Sequence, residues 1–199
     1  MFDPQDRHQF LNFAGLFEGG LVVLAVGLGW ALSISPVEHL HADWRALTFG
    51  LLGAIPLFVF FVVVYRWPFG PFHEMRRFLS RELAPSLAAL TWYDLILLAL
   101  LAGVAEELLF RGLLEPWISR FWSNLLFGLA HLVTPTYGLL TFIVGYYLSW
   151  LMTVADAETP QLLTPIVTHA VHDYLAFLVI VWLYRRDVSV PLTEPSNEQ

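Results

Sequence analysis

The chain has 199 residues, of which 57% are hydrophobic, 16% aromatic and only 14% charged, whereas a soluble domain carries about 25% charged residues. The formal net charge of -7 argues against nucleic acid as a partner. Because the sequence has no cysteine, it excludes disulfides, thiolate metal sites and a cysteine nucleophile. The composition therefore predicts an integral membrane protein that has membrane lipid as a partner.

Six apolar runs follow one another along the chain. At about 20 residues per span, they predict an all-α, polytopic transmembrane bundle of about six helices. The runs cover residues 13–32, 47–65, 93–114, 121–133, 137–154 and 162–184. The fourth run is too short to span a bilayer alone, so we expect it either to begin earlier, near Trp117, or to pack inside the bundle.

Residues 66–90, between the second and third runs, predict one amphipathic helix that lies in the plane of the membrane. Its apolar side chains recur at helical spacing, with arginines opposite them. These apolar residues are Phe72, Met75, Leu79 and Leu83.

An even number of spans places both termini and this amphipathic helix on the same side of the membrane. Most of the arginines collect on that side: Arg7, Arg66, Arg76, Arg77, Arg81, Arg185 and Arg186. By the positive-inside rule, this side is the cytoplasm. We therefore expect both termini to be cytoplasmic.

The third run contains the segment AEELLFRG, which places Glu106, Glu107 and Arg111 among apolar residues. A charged residue at the centre of a span costs about 2.5 to 3.5 kcal/mol, so each of the three needs a partner, a proton or water. Glu107 and Arg111 stand four apart, in the order that favours an ion pair on a helix. Glu106 lies on a neighbouring face without that partner, which makes it a candidate general base.

Two later segments add ionisable side chains at membrane depth. FGLAH ends the fourth run at His131, and THAVHD in the sixth run places His169 and Asp173 four apart on one helix face. His172 points partly away from that face, so we expect it to have a supporting role at most. Ionisable residues inside membrane helices mark functional sites. We therefore expect Glu106 to lie near both His131 and His169.

Several other protease chemistries are absent from the sequence. HEMRR begins a zincin pattern at His73 but lacks its second histidine. There is no G-x-S-x-G elbow. The chain also has no lysine, which excludes a Ser/Lys dyad.

The three motifs together resemble the signature of the CPBP family, also called the CAAX protease and bacteriocin-processing or ABI family. Its pattern is E-E-x-x-x-R, then F-x-x-x-H, then H-x-x-x-N or D, on successive membrane helices. Here the motifs are EELLFR at 106–111, FGLAH at 127–131 and HAVHD at 169–173. The resemblance covers about residues 93–184 and implies an intramembrane endopeptidase whose substrates are membrane-associated proteins or peptides.

The resemblance also implies roles for the residues that fill the motifs. Glu106 and His131 would activate a water molecule. His169 and Asp173 would stabilise the oxyanion, although Asp173 stands where the eukaryotic relatives have Asn, and Asp donates a hydrogen bond only when protonated. The remaining motif residues, Glu107 and Arg111, would support the others.

Whether a metal takes part is open at this point. Glu106, His131, His169 and Asp173 are possible ligands that could hold zinc with one open position, and they could equally work without it. We favour the metal-free mechanism.

Within this interpretation the chain has three parts. Residues 1–90 form a two-span region with the amphipathic helix, residues 91–186 form a CPBP-like catalytic membrane core, and residues 187–199 form a disordered tail. Prenylated CAAX substrates are typical of eukaryotes. A compact chain that contains arginine but no lysine is more typical of a protein of the bacterial plasma membrane.

Two other functions stay open. One is a catalytically silent membrane protein that acts by interaction, such as an immunity or scaffold protein. The other is a proton-coupled transporter, which would also place Glu, His and Asp in a bundle core. A transporter usually has broken helices in paired halves, and the sequence contains no such repeat.

Overall fold

The computed structural model describes residues 3, 5–67, 69–156 and 158–189, and this part of the chain contains helices and no strands. The helices are α1 (Arg7–Leu32), α2 (Trp44–Arg66), α3 (Phe72–Phe78), α4 (Ala84–Ala88), α5 (Trp92–Glu107), α6 (Glu115–Ala130), α7 (Pro135–Leu151) and α8 (Leu163–Ser189). Two π-helical segments, Leu79–Leu83 and Leu108–Leu114, join α3 to α4 and α5 to α6. The predicted all-α class is confirmed.

Long apolar helices support the predicted membrane bundle. Among the described residues, α1, α2 and α8 are long and apolar enough to cross a membrane. A fourth span is counted if the stretches Phe72–Ala88 and Trp92–Ala130, which meet at a bend of 120°, are taken as one. This count is below six partly because α7 has only 17 residues, fewer than the roughly 20 of a straight span.

The predicted amphipathic segment forms α3, the π-helical turn and α4. Met75 and Leu79 are buried, while Phe72 and Leu83 pack against the same apolar cluster. The apolar face of this segment therefore covers part of the helical bundle. At the other end of the chain, α8 continues through Ser189, into the segment predicted as a disordered tail; residues 190–199 lie outside the described residues.

The chain folds back on itself within α6. Ser119 has φ 80° and ψ 160°, which interrupts the helix. Beyond it, the Ser123 hydroxyl donates to the Phe110 carbonyl at 2.6 Å, although the two residues are 13 positions apart. A straight helix would separate them by about 20 Å. Residues 120–130 therefore return alongside the Leu108–Leu114 segment. Helix α6 begins at Glu115, so the helix of the short fourth run begins earlier, near Trp117, and one of its faces is buried while the other is exposed.

Close helix contacts place α8 against α5. A Cβ added to Gly103 would lie 2.9 Å from the Ala170 backbone nitrogen, so only glycine permits this approach. Gly103 precedes Glu106 by one helical turn, and Ala170 follows His169 directly. The glycine contact therefore brings the acidic segment of α5 beside the histidine of α8.

Helix α1 runs parallel to α5. At one end, Arg7 makes two hydrogen bonds to the Asp94 carboxylate, at 2.6 and 2.7 Å. Towards the other end, Gly29 lies next to the Leu113 side chain. The residues in the middle of α1 therefore lie beside residues 103–106, which are about halfway between Asp94 and Leu113.

Candidate active site

Four ionisable side chains from α5, the end of α6 and α8 face one another. The Glu106 Oε2 atom lies 3.6 Å from His131 Nε2 and 3.9 Å from His169 Nε2. The Asp173 Oδ2 atom lies 3.5 Å from His169 Nε2. These distances are longer than ordinary hydrogen bonds of about 2.7 to 3.2 Å. Glu106 is only 7% exposed. Its Oε2 atom therefore lies close to two imidazole rings but makes no direct hydrogen bond to either of them.

The orientation of His131 follows from its contact with the backbone. Its Nδ1 atom lies 2.9 Å from the Phe127 carbonyl oxygen. Because a carbonyl can only accept, Nδ1 carries the hydrogen, and Nε2 of the neutral ring is an acceptor. Phe127 and His131 are four residues apart at the end of α6, where carbonyls lack helical partners. His131 therefore presents a lone pair towards Glu106.

Glu107 lies at the centre of a tightly bonded group. Its Oε1 atom accepts from Arg111 Nη1 at 3.0 Å and from His169 Nδ1 at 2.8 Å. Glu107 and Arg111 are both 0% exposed. The predicted ion pair between residues four apart is present, and it also holds the ring of His169, which the sequence did not indicate.

Arg111 is held on several sides. It donates to the Asn124 side-chain oxygen at 3.3 Å and to the Gly145 carbonyl at 3.1 Å, and its guanidinium lies 4.2 Å from the centre of the Phe127 ring. The arginine stands in the π-helical Leu108–Leu114 segment, and π-helical turns occur frequently at functional sites. Neither Asn124 nor Gly145 was identified from sequence, because they are 13 and 34 positions away.

Glu18 of α1 is a fourth acidic residue near the site, besides Glu106, Glu107 and Asp173, and the motifs did not identify it. It is 7% exposed, and its Oε2 atom has no hydrogen-bond partner among the described residues. It interacts electrostatically with Glu106, His169 and Asp173, as expected from its level along α1. An isolated carboxylate within an apolar run would have been a usable signal in the sequence.

A cavity of about 300 Å³ adjoins the histidines, at the lower end of the range for ligand pockets. His131, His169 and Asp173 lie on its wall. The rest of the wall is mainly apolar and comes from α2, the amphipathic segment, α7 and α8, including Phe61, Met75, Leu79, Leu83, Leu140 and Phe177. His172 also lines it, with its ring edge-on to Phe61. The cavity can therefore accept apolar groups beside the ionisable side chains.

Among the described residues, no group of three or more His, Asp or Glu side chains is arranged so that it could hold a metal ion. The four possible ligands predicted from sequence therefore do not form a fitted metal site here.

A comparison with known protein families gives a match over part of the chain. Residues 88–175 match the family model described as "Type II CAAX prenyl endopeptidase Rce1-like". All six predicted site residues lie within this range, which α1 and α2 precede. The match confirms the resemblance to the CPBP family over this part of the chain. No curated protein and no solved structure matches the chain.

The Rce1-like match and the long apolar helices support an integral membrane protein that acts as an intramembrane endopeptidase.

Proposed function

We propose that the protein hydrolyses peptide bonds of membrane-associated proteins or peptides with a water molecule activated by Glu106 and His131. One observation carries the proposal. The Glu106 Oε2 and His131 Nε2 atoms stand 3.6 Å apart, inside an Rce1-like domain. A carboxylate oxygen and an unprotonated imidazole nitrogen are both acceptors. A water molecule between them can donate one hydrogen to each.

In the first step, the water loses a proton to Glu106, and its oxygen attacks the carbonyl carbon of the scissile peptide bond. The His131 Nε2 atom accepts the second hydrogen and orients the water, because its Nδ1 hydrogen is bound to the Phe127 carbonyl. A positioned general base of this kind contributes about 10² to 10⁴ in rate.

The second role is to stabilise the negative oxygen of the tetrahedral intermediate. The His169 Nδ1 hydrogen is directed at Glu107, so in the doubly protonated ring the hydrogen that can be donated to the oxyanion is the one on Nε2. Asp173 lies 3.5 Å from Nε2 and, as a carboxylate, has no hydrogen to donate. Its contribution is to balance the charge of the His169 ring.

Collapse of the intermediate completes the reaction. The proton held by Glu106 passes to the nitrogen of the scissile bond, the carbon–nitrogen bond breaks, and the products are a carboxyl group and an amine. Glu106 then returns to the carboxylate form. It therefore acts first as a base and then as an acid, as one group can when the site excludes bulk water.

The substrate class follows from the apolar cavity and from the family description. A cavity of about 300 Å³ with apolar walls suits an apolar side chain or a lipid chain near the cleaved bond. The matched description mentions CAAX prenyl endopeptidases, so a prenylated C-terminal peptide is one probe, and an unmodified transmembrane peptide is the other. The distribution of arginines supports cytoplasmic termini, and a compact chain that contains arginine but no lysine is what we expect of a bacterial plasma-membrane protein.

The experiment uses purified protein in liposomes with two quenched fluorogenic peptides, one prenylated with a CAAX sequence and one unmodified and apolar. We expect cleavage of at least one peptide, loss of that cleavage in Glu106→Gln, and normal cleavage in the control Glu158→Gln, which changes an exposed loop carboxylate. In H₂¹⁸O, one heavy oxygen should enter the new carboxyl group.

The contrary result would be identical membrane proteomes in cells carrying the wild type and Glu106→Gln, together with no cleavage of either peptide. That outcome would favour a catalytically silent protein.

A further inference from the structure

A chain of hydrogen bonds extends from Arg111 away from the cavity. Arg111 Nη2 donates to Asn124 Oδ1 at 3.3 Å, and Asn124 Nδ2 donates to Ser149 Oγ at 3.2 Å. The Ser149 hydroxyl then donates to Glu115 Oε2 at 2.6 Å. Arg120 Nε closes the chain by donating to Glu115 Oε1 at 2.7 Å. The chain thus connects α7 and both parts of α6 to the arginine beside Glu107.

Asn124 and Ser149 each have the donor and the acceptor that their two neighbours in the series of hydrogen bonds need. The Asn124 amide accepts through its oxygen and donates through its nitrogen, so only one orientation of the amide satisfies both neighbours. The Ser149 hydroxyl accepts one bond and donates another. All three side chains are fully buried, with 0% exposure of Arg111, Asn124 and Ser149. Solvent water therefore cannot replace a hydrogen bond that one of them loses. Such an unpaired buried group costs about 1 to 3 kcal/mol.

At Gly145, the backbone of α7 is in direct contact with two members of the series of hydrogen bonds, Arg111 and Asn124. Its carbonyl oxygen accepts from Arg111 Nη2 at 3.1 Å. A Cβ added to Gly145 would lie 2.5 Å from Asn124 Oδ1 and 3.2 Å from Arg111 Nη2. The guanidinium and the amide therefore pack directly on the helix backbone, which leaves Arg111 little freedom to move.

The position of the His169 ring depends on this arrangement. Glu107 binds both Arg111 and His169 through a single oxygen, Oε1. Its other oxygen, Oε2, has no hydrogen-bond partner among the described residues. A shift of the guanidinium would therefore move the carboxylate, and the carboxylate would move the His169 ring.

We propose that Asn124 and Ser149 are positioning residues for the hydrolysis: they fix the Arg111 guanidinium, which fixes Glu107 and through it the ring of His169. This inference rests on the proposed function. Asn124 and Ser149 are not among the described residues that line the cavity. They therefore act through Arg111 and not by contact with a substrate in that cavity.

The test compares Asn124→Leu and Ser149→Ala with the matched control Ser123→Ala. Ser123 is also a fully buried serine with one strong hydrogen bond, which goes to the Phe110 carbonyl and not into the chain. We expect kcat for the fluorogenic peptide to fall by about 100-fold in Asn124→Leu, the scale of a 1 Å displacement of a reacting group. KM should stay near the wild-type value, and Ser123→Ala should keep the wild-type kcat.

Two further measurements separate positioning from general damage. Asn124→Asp keeps an oxygen that accepts from Arg111 but loses the amide hydrogen that is donated to Ser149, so its kcat should fall to about the level of Ser149→Ala and stay above that of Asn124→Leu. In protein labelled with ¹⁵N-histidine, the NMR signal of the His169 Nδ1 hydrogen should shift in Asn124→Leu and Ser149→Ala and stay in place in Ser123→Ala. Should Asn124→Leu fail to fold, Ser149→Ala and Asn124→Asp carry the same comparison.

A wild-type kcat in Asn124→Leu or in Ser149→Ala would overturn the inference, as would an unmoved His169 signal in both variants. Failure of the proposed function is distinguishable from this. In that case the wild type itself would cleave neither peptide, while the NMR comparison would still report whether Asn124 and Ser149 position the ring.

Discussion

Glu106 and Glu107 are neighbours in the chain and stand in opposite surroundings. Glu107 is completely buried and bound by Arg111 and His169 at 3.0 and 2.8 Å. Glu106 faces His131 and His169 across gaps of 3.6 and 3.9 Å, and its Oε2 atom has no hydrogen-bond partner among the described residues. The Oε2 atom of Glu107 also has no partner among the described residues, so the difference lies in the two bonds to its Oε1 atom. These bonds suit Glu107 to hold the site together, whereas Glu106, the open carboxylate, is suited to bind a water molecule and move its proton.

The largest expected effect tests the open carboxylate. Glu106→Gln should lower the rate of peptide cleavage by about 10² to 10⁴, the contribution of a general base, because glutamine keeps the shape and loses the basicity. Thermal unfolding in detergent should be close to wild type, since the Glu106 Oε2 atom makes no hydrogen bond among the described residues that glutamine would lose. Normal turnover would remove Glu106 from the mechanism, and a much lower melting temperature would assign it a structural role.

Glu107, which is bonded to Arg111 and His169, should respond in the opposite way. Glu107→Gln leaves the buried Arg111 without its counter-charge, and breaking such a pair typically costs about 3 to 5 kcal/mol. We expect a large loss of unfolding free energy and of folded yield, with activity reduced in the protein that folds. Unchanged unfolding in detergent would contradict the burial of this pair.

Glu18 sharpens the comparison, because it is a buried carboxyl group without the bonds of Glu107. Glu18→Leu should raise the free energy of unfolding by about 1 to 3 kcal/mol, the cost of burying a polar group without a hydrogen bond. The lipid-facing Leu16, which is 78% exposed, provides the control variant Leu16→Ala. A destabilised Glu18→Leu protein would instead indicate that Glu18 is charged and stabilised by His169.

The smallest expected effect concerns the fold-back that brings His131 to Glu106. Ser119 has φ 80°, a backbone conformation that costs a residue with a side chain about 1 to 3 kcal/mol. Ser119→Gly removes this cost from the folded state. Glycine also increases the conformational entropy of the unfolded chain, which lowers the free energy of unfolding by about 0.5 to 1 kcal/mol. We expect a small net rise in melting temperature with unchanged turnover. A fall in melting temperature would argue against strain at this turn.

Several properties of this protein follow from its sequence alone. The apolar runs predict the helices, because hydrophobic length and periodicity are local. The pair of Glu107 with Arg111 and the shared helix face of His169 and Asp173 follow from a spacing of four residues. The order of the three motifs indicates a resemblance to the CPBP family, which the match over residues 88–175 confirms for that part of the chain.

Tertiary structure decided the parts that depend on distant contacts. The turn at Ser119 lies between the third and fourth apolar runs, where the sequence does not indicate the direction of the chain, and the fold-back that it produces places Asn124 on Arg111. Glu18 reaches the site because α1 runs parallel to α5, anchored by the bonds between Arg7 and Asp94. The amphipathic segment forms a wall of the cavity because Met75 and Leu79 pack onto the bundle. In each case the energy comes from contacts between residues far apart in the chain, and helical periodicity carries no information about which distant residues meet.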